Sequence, residues 1–315
     1  MSFRSAPSDK AVPLPFILIL ARWFRRRAGP EKFARIVNNS LALALPSMKP
    51  ILERVLNRIA SHCGKPLGPG QIDAIIAQKA ALKAANVIFL AMESDEMEAE
   101  AKKARLELLP VLRRLLNQQK GVILAGPHFG DTALSLLALG LSGVPITVLF
   151  INAQPYRVGL ARYGIQALDL GESAAACVAA LSRNEVVLLY ADLDFFPGGR
   201  TSDFFGAPMH PPHGPARLAQ YTGAPLLPFY PIYERNRWRI ACDAPIEPES
   251  KGQEELESLL LKSMERFISR HPDHWMMFRD PWDLKTIARE NRRRLLLVRF
   301  YRKITAWWPG RQPAS

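Results

Sequence analysis

Residues 122–141 read VILAGPHFGDTALSLLALGL, and this stretch decides the fold. Val122, Ile123, Leu124 and Ala125 form a short apolar run with the texture of a strand buried on both faces. Gly126 and Pro127 stop that run. From Thr132 to Leu141 the residues are small and aliphatic, with helical texture. A strand that turns directly into a helix is the repeating unit of an α/β sheet.

The unit recurs on the C-terminal side. Residues 146–150, 186–190, 226–230 and 238–241 are further short apolar runs bounded by Gly, Pro, Asp or Asn, and read as strands. Residues 159–163, 173–182 and 215–222 have helical texture between them. Residues 254–270 form an amphipathic helix with Leu256, Leu259, Leu260, Met264 and Phe267 on its apolar side. On the N-terminal side, residues 31–116 are helical throughout, with Ile51, Val55, Leu56 and Ile59, then Ile72, Ile75 and Ile76, at helical spacing. Pro46 and Pro50 are expected to interrupt the first stretch, and 64–70 (GKPLGPG) to form a loop. Residues 93–114 are expected to form one exposed helix running into 111–116. The expected fold is therefore α/β, a central mixed, mostly parallel sheet with crossover helices and a helical N-terminal cap. The expected division is a basic amphipathic segment at 1–35, a single α/β domain at 36–285 and a basic amphipathic helix and tail at 286–315.

The 315 residues carry 42 Lys and Arg against 29 Asp and Glu, a formal charge of +13. Residues 22–35 hold Arg22, Arg25, Arg26, Arg27, Lys32 and Arg35 against Glu31, while 289–303 hold seven bases against Glu290. These two stretches supply +11, and the other 286 residues are close to neutral. A body-wide basic surface of the kind that wraps nucleic acid is disfavoured, so no nucleic-acid partner is expected. Three cysteines, Cys63, Cys177 and Cys242, are too few and scattered for a disulfide framework and have no zinc-ligand spacing, which leaves a reducing compartment as the expectation. The run at 13–24 (PLPFILILARWF) has its charges after the apolar residues, unlike a signal peptide, and is too short to span a bilayer. Both ends interleave aromatic residues with Arg: Phe16, Leu20, Trp23 and Phe24 at one, residues 295–298, Phe300, Tyr301, Trp307 and Trp308 at the other. That pattern suits a helix at the headgroup boundary, with its bases on anionic lipid.

Among the six histidines, His128 has the setting for chemistry. It lies where a strand C-terminus becomes a helix N-terminus, the place where open α/β sheets hold their ligands. Backbone N–H groups there can stabilise an anion, and an imidazole can take a proton from a hydroxyl or amine. Asp131, three residues on, could orient that imidazole; it is also a natural helix N-cap. The pair His210 and His213 gives too few ligands for a metal and reads as loop residues lining the acceptor side, while His62, His271 and His274 read as structural. No G-x-S-x-G elbow and no P-loop is present, which disfavours a serine hydrolase or a P-loop NTPase.

Four blocks in order, and one stretch before them, carry a family resemblance. Gly126-Pro127-His128-Phe129-Gly130 resembles the first block of the lysophospholipid acyltransferase superfamily, in particular the bacterial lauroyl/myristoyl acyltransferases of lipid A biosynthesis and the phosphatidylinositol mannoside acyltransferases. Asp192-Leu193-Asp194 resembles the family's D-Q-D segment. Phe204-Phe205-Gly206-Ala207-Pro208, followed by Gly214, Ala216 and Thr222-Gly223-Ala224-Pro225, resembles its F-F-G-x-P block and the helix and strand beyond. His274-Trp275-Met276-Met277-Phe278-Arg279 resembles the closing W-x-x-x-x-R segment, and residues 39–46 the N-terminal N-L-x-x-x-F-P stretch. The resemblance covers roughly residues 30–280.

It implies transfer of a fatty acyl group from a thioester of acyl carrier protein or coenzyme A to a hydroxyl or amine, with His128 as base and no cofactor or metal. It also implies oxyanion or acceptor contacts from Gly130, Arg157, Arg162, Asp192, Asp194, Phe205, Gly206 and His213, and a place on the cytoplasmic face of a bacterial inner membrane. The family's His-x4-Asp/Glu spacing is broken, because Ala133 stands where the acid belongs. Three arrangements follow: Asp131 orients His128 from a shifted position; His128 works alone or with an acid from elsewhere, such as Asp192 or Asp194; or the protein is a non-catalytic lipid- or carrier-binding relative. The first is the working expectation.

Overall fold

Five parallel strands and one antiparallel edge strand build the central sheet of the computed structural model, which describes residues 16–150, 153, 156–169, 174–192, 200–287 and 289, with side chains from Leu20 onward. The strands are β1 (Val122–Gly126), β2 (Ile146–Phe150), β3 (Ile165–Asp169), β4 (Val186–Tyr190), β7 (Leu226–Glu234) and β8 (Arg237–Cys242), in the order β3-β2-β4-β1-β7-β8. Between β4 and β7 a short hairpin of β5 (Ser202–Phe204) and β6 (Ala207–Met209) stands apart. Alternate residues of the central strands enter two separate cores. Ile123, Ala125, Val187 and Leu189 pack on one face with residues of the helices α8 (Ala174–Ser182), α9 (Gly214–Thr222) and α10 (Gln253–Arg270). Val122, Leu124, Val186 and Leu188 pack on the other with α5 (Leu109–Leu116) and α6 (Thr132–Leu141). Burial on both faces is why these runs show no polar alternation in sequence.

The helical cap consists of α1 (Phe16–Ala28), α2 (Pro30–His62), α3 (Pro69–Leu90) and α4 (Ser94–Ala101). Leu52 and Leu56 of α2 meet Ile72 and Ile76 of α3 in a satellite core. Pro46 and Pro50 do not interrupt α2, which continues through both. Each removes one backbone donor, a loss that a long, packed helix tolerates at its exposed positions. The division at residue 35 also falls inside α2. The single helix expected from Glu93 is two, α4 and α5, because the chain between them joins the sheet edge. There Arg105 N–H donates to Trp238 O at 2.9 Å and Leu108 N–H to Ile240 O at 3.0 Å. Two further differences are strands: β3, an outer strand carrying exposed Gln166, and the β5–β6 hairpin, whose strands are each only 3 residues long.

Candidate active site

The site begins with register. β1 and β4 are parallel neighbours, and Gly126 pairs with Tyr190, so the two strands leave the sheet level with each other. Two residues beyond each end stand His128 and Asp192. His128 Nδ1 lies 2.6 Å from Asp192 Oδ1, and His128 N–H donates to Asp192 Oδ2 at 2.9 Å. Trp275 Nε1–H donates to the same Oδ2 at 3.0 Å. With Nδ1 donating to the carboxylate, the other ring nitrogen, Nε2, carries the lone pair and has no partner among the described residues. The His128 side chain is 31% exposed and that of Asp192 is fully enclosed, so only the imidazole can meet a substrate. Its other wall is Tyr190, stacked at 4.2 Å. Burial alone would raise the Asp192 carboxyl; the charge of His128, its hydrogen bonds and the Trp275 N–H more than offset this and hold it below the usual carboxylate range.

The backbone around His128 is fixed from outside. Residues 274–276 run antiparallel to the turn: Gly130 N–H donates to His274 O at 2.7 Å and Met276 N–H to His128 O at 2.7 Å. Gly130 has φ +56°, and a Cβ there would stand 2.3 Å from Pro231 O. It is required by this close approach and by its left-handed backbone. Its N–H is already bonded, so the expected oxyanion contact from Gly130 is not available in this arrangement.

Asp131 does not orient His128. Its carboxylate faces the opposite way, capping α6 by accepting from Ala133 N–H at 3.1 Å and Leu134 N–H at 2.9 Å. Asn86 Nδ2 of α3 donates to the same oxygen at 2.7 Å. The cap won because an N-cap side chain must fold back over its own helix, away from the preceding turn. Burial raises the Asp131 carboxyl, against the pull of the capping and Asn86 bonds. The carboxylate that touches the His128 ring is that of Asp192, with Ala133 offering none.

Of the other expected contacts, Arg157, on α7 (Arg157–Ala161), donates to Asp169 at the end of β3, at 3.0 Å. This pair sits on the same edge of the sheet as His128, two strand spacings or roughly 10 Å beyond β4. Arg162 lies over the Tyr163 ring at 6.0 Å. Phe205 and Gly206 form the two-residue turn of the β5–β6 hairpin with φ +53° and +69°, the geometry of a type I′ turn. Phe205 is buried against Phe204, His62 and Trp282, and a Cβ on Gly206 would meet His62 Nδ1 at 3.2 Å. Their place is a core corner rather than a ligand contact. His213 is likewise committed at both nitrogens: Nδ1 to Glu257 at 2.6 Å, and Nε2 as acceptor from Arg200 N–H at 3.1 Å. Asp194 lies outside the described residues. No cluster of three or more metal-ligating side chains occurs among the described residues. Sequence reasoning passed over Asn86 and Lys79, two buried polar residues of α3.

The description "Bacterial lipid A biosynthesis acyltransferase" matches residues 70–283, which include every element of this site. The chain belongs to that family. Curated proteins similar to it include phosphatidylinositol mannoside acyltransferases. That of Mycolicibacterium smegmatis is 28% identical over 193 residues, covering 57% of this chain and 62% of the relative. One from Mycobacterium tuberculosis is 29% identical over 175 residues, covering 51% and 54%. The chain thus spans less than two thirds of the length of these curated relatives. The crystal structure of the 1-acyl-sn-glycerophosphate acyltransferase PlsC from Thermotoga maritima aligns over 82% of this chain and 96% of that one at 13% identity, with a TM-score of 0.39. Within the lipid A acyltransferase family match, the one carboxylate on the His128 ring comes from the strand beside it and not from the helix after it.

Proposed function

We propose that the protein transfers a fatty acyl group from an acyl carrier protein or coenzyme A thioester to a hydroxyl or amine of a lipid or specialised small-molecule acceptor. The observation that carries this reading is the 2.6 Å contact of His128 Nδ1 with the enclosed Asp192, which leaves Nε2 as the open base. Nε2 accepts the acceptor proton as the oxygen or nitrogen attacks the thioester carbonyl. The C–S bond then breaks, and the imidazolium returns the proton to the departing thiolate. Asp192 holds the tautomer and stabilises the imidazolium without itself being protonated. No covalent enzyme intermediate is involved. Arg157, on the same sheet edge, suits the acceptor side, where it would exchange Asp169 for an anionic headgroup. The names of the relatives and the family support a lipid acceptor.

The test is transfer from acyl-carrier and coenzyme A thioesters to a panel of glycolipid, phospholipid and amine acceptors. His128→Ala is expected to lower kcat/KM by about 10²–10⁴-fold, the usual worth of a positioned base. Asp192→Asn should lower it by at least ~10²-fold, because an amide partner favours the wrong tautomer. Parent-like turnover by His128→Ala would remove the base assignment. Undetectable transfer by the parent across every donor and acceptor, with tight carrier or vesicle binding, would instead support a non-catalytic binding protein.

We also propose that the chain works at a membrane surface, held peripherally through α1 and α2. No helix among the described residues is long and apolar enough to cross a bilayer. Support comes from Leu20, Trp23, Phe24, Ile36 and Leu43, large apolar side chains exposed along these two helices. The expected role of the bases changes. Arg25 makes two bonds to Glu96 at 2.7 and 2.8 Å, and Arg26 two to Glu93 at 2.6 and 2.8 Å. Bidentate guanidinium–carboxylate geometry ties α1 to α4. Of this group only Arg25 is buried; Arg26 stays exposed within its ion pair, and Arg27, Lys32 and Arg35 are exposed as well. The basic C-terminal stretch from Arg292 onward lies outside the described residues.

A further inference from the structure

Tyr190 touches the His128 imidazole, and the mechanism above gives it no task. It is the last residue of β4, paired with Gly126 of β1. The backbone just after it is held as well, because Ala191 N–H donates to Gly126 O at 2.8 Å. Its ring centroid stands 4.2 Å from that of His128, with the two planes 21° apart, a stacked arrangement. Phe229 of β7, itself only 1% exposed, meets the Tyr190 ring at 6.4 Å and 47°. Tyr190 packs on the same core as Val186 and Leu188, the alternate residues of its strand, which are aliphatic. An aliphatic side chain at the end of β4 would fill that core too. Burial pushes the Tyr190 hydroxyl above its ordinary range, so the phenol stays neutral and presents a ring, not a charge, to the imidazole.

We propose that Tyr190 is a positioning residue for the acyl transfer proposed above, its ring holding the His128 imidazole in the plane that keeps Nδ1 on Asp192 and aims the Nε2 lone pair outward. A histidine side chain turns about two bonds, and the second of these torsions has a broad well. The 2.6 Å contact with Asp192 fixes one atom of the ring, and the ring can still swing about that atom. A flat partner on one face removes the swing. Together the two contacts set the direction of the lone pair, which must meet the acceptor proton within hydrogen-bond reach. The need arises because the His128 side chain is 31% exposed, so packing alone does not enclose it. A misplacement of about 1 Å at a reacting group can cost ~10²-fold in rate. This inference rests on the reading of His128 as the base, but its first readout does not need turnover.

The experiment follows the His128 Nδ1 proton by NMR in the full-length protein, isotope-labelled at histidine, with the signal assigned by its absence in His128→Ala. A proton held between Nδ1 and an enclosed carboxylate resonates far downfield and exchanges slowly with water. Tyr190→Leu and Tyr190→Met keep apolar bulk without a ring; two such substitutions guard against one that does not fold, and circular dichroism checks each. Both are expected to broaden or lose the resonance and to lower kcat by about 10–10²-fold, with KM within a few-fold of the parent. Tyr190→Phe keeps the ring and is expected to recover the resonance and most of kcat. A parent-like resonance in a folded Leu or Met variant overturns the proposal, whatever its rate. Parent-like kcat with the resonance lost does the same, as does loss of the resonance in Tyr190→Phe or its absence from the parent. A resonance that follows the ring in a protein that transfers no acyl group supports the positioning role and removes only the acyltransferase reading.

Discussion

The imidazole of His128 has one nitrogen engaged and one open, and three neighbouring residues divide the work around it. Asp192 takes Nδ1, Tyr190 covers a ring face, and Trp275 holds the carboxylate from behind. Asp131, closer in sequence, caps a helix instead. Two substitutions separate these duties. Asp131→Asn keeps an oxygen for the cap and removes a carboxylate that burial has already made costly to ionise. Its folded carboxyl lies above the unfolded value, so ionisation penalises the native state as pH rises through that interval. Asp131→Asn is therefore expected to keep acyl transfer within a few-fold of the parent and to lose no thermal stability at pH 7. Ala133→Glu restores the family spacing, yet Asp192 already fills the acid's place. It also sets a second carboxylate beside Asp131, so no gain in kcat is expected; a gain would mean that Asp192 is not the working partner. The position of His128, the proposed base, was legible in the sequence, because a His in a Gly-flanked strand-to-helix turn stands where α/β sheets hold their ligands. Its partner was not: two residues 64 positions apart became neighbours through the pairing of β1 with β4.

Among the elements, α1 shows how ion pairs redirect a surface. Its sequence interleaves Arg with Trp, Phe and Leu, a pattern that predicts bases facing lipid. The acidic start of α4, Glu93 and Glu96, takes Arg26 and Arg25, and the Glu96 carboxyl falls to about 2, chiefly through its bond to Arg25. What remains outward on α1 is Leu20, Trp23 and Phe24 together with Arg26, held in its ion pair, and Arg27. Vesicle binding should consequently depend on Leu20 and Trp23 more than on charge. The double variant Leu20→Ser, Trp23→Ser is expected to lose at least ~10-fold in vesicle affinity, on neutral and anionic lipid alike. Raising salt from 0.1 to 1 M should weaken the parent only modestly, since screening acts on exposed charges. Complete release by salt in a sedimentation assay would return the bases to the leading role. The same rule of competing partners explains α2. Pro46 and Pro50 read as interruptions, but the segment before them carries Phe33 and the segment after carries Leu52, Val55 and Leu56, all buried, so packing holds one helix across both prolines.

At the scale of the whole molecule, α3 is joined to the turn before α6 by the buried Asn86–Asp131 bond, and Lys79 is buried on the same helix. The buried Lys79 is expected to make global stability depend on pH. Its folded amine, near 7, lies below the unfolded value of 10.5, so the unfolded chain binds the extra proton between those values. Parent stability should rise with pH across that window. Lys79→Met removes the dependence. The variant is expected to unfold at higher temperature or denaturant concentration than the parent, with the full difference, on the order of a few kcal/mol, at pH 7 and below. The gap should close as pH approaches 10.5. Equal stability of the two proteins at pH 6 would show the amine to be solvated. Such a residue was visible in the sequence only as a Lys between helical apolar positions, where solvent exposure is the ordinary expectation. The sheet was far more legible, since four-to-five-residue apolar runs bounded by Gly and Pro have few alternatives. β3 escaped because, as an outer strand, it needs only one buried face and carries Gln166 on the other.

The sequence by itself determined the strand and helix alternation, the turn bearing His128, the basic ends and the blocks that mark the family. These are local properties, set by side-chain periodicity and backbone freedom within a few residues. Tertiary structure alone decided which carboxylate serves His128, that Asp131 caps α6, that Arg25 and Arg26 are bound to α4, and that Lys79 lies inside. Each of those depends on which strand or helix stands alongside. A charge finds its partner through space, and its setting in the dielectric follows from burial that no single segment encodes.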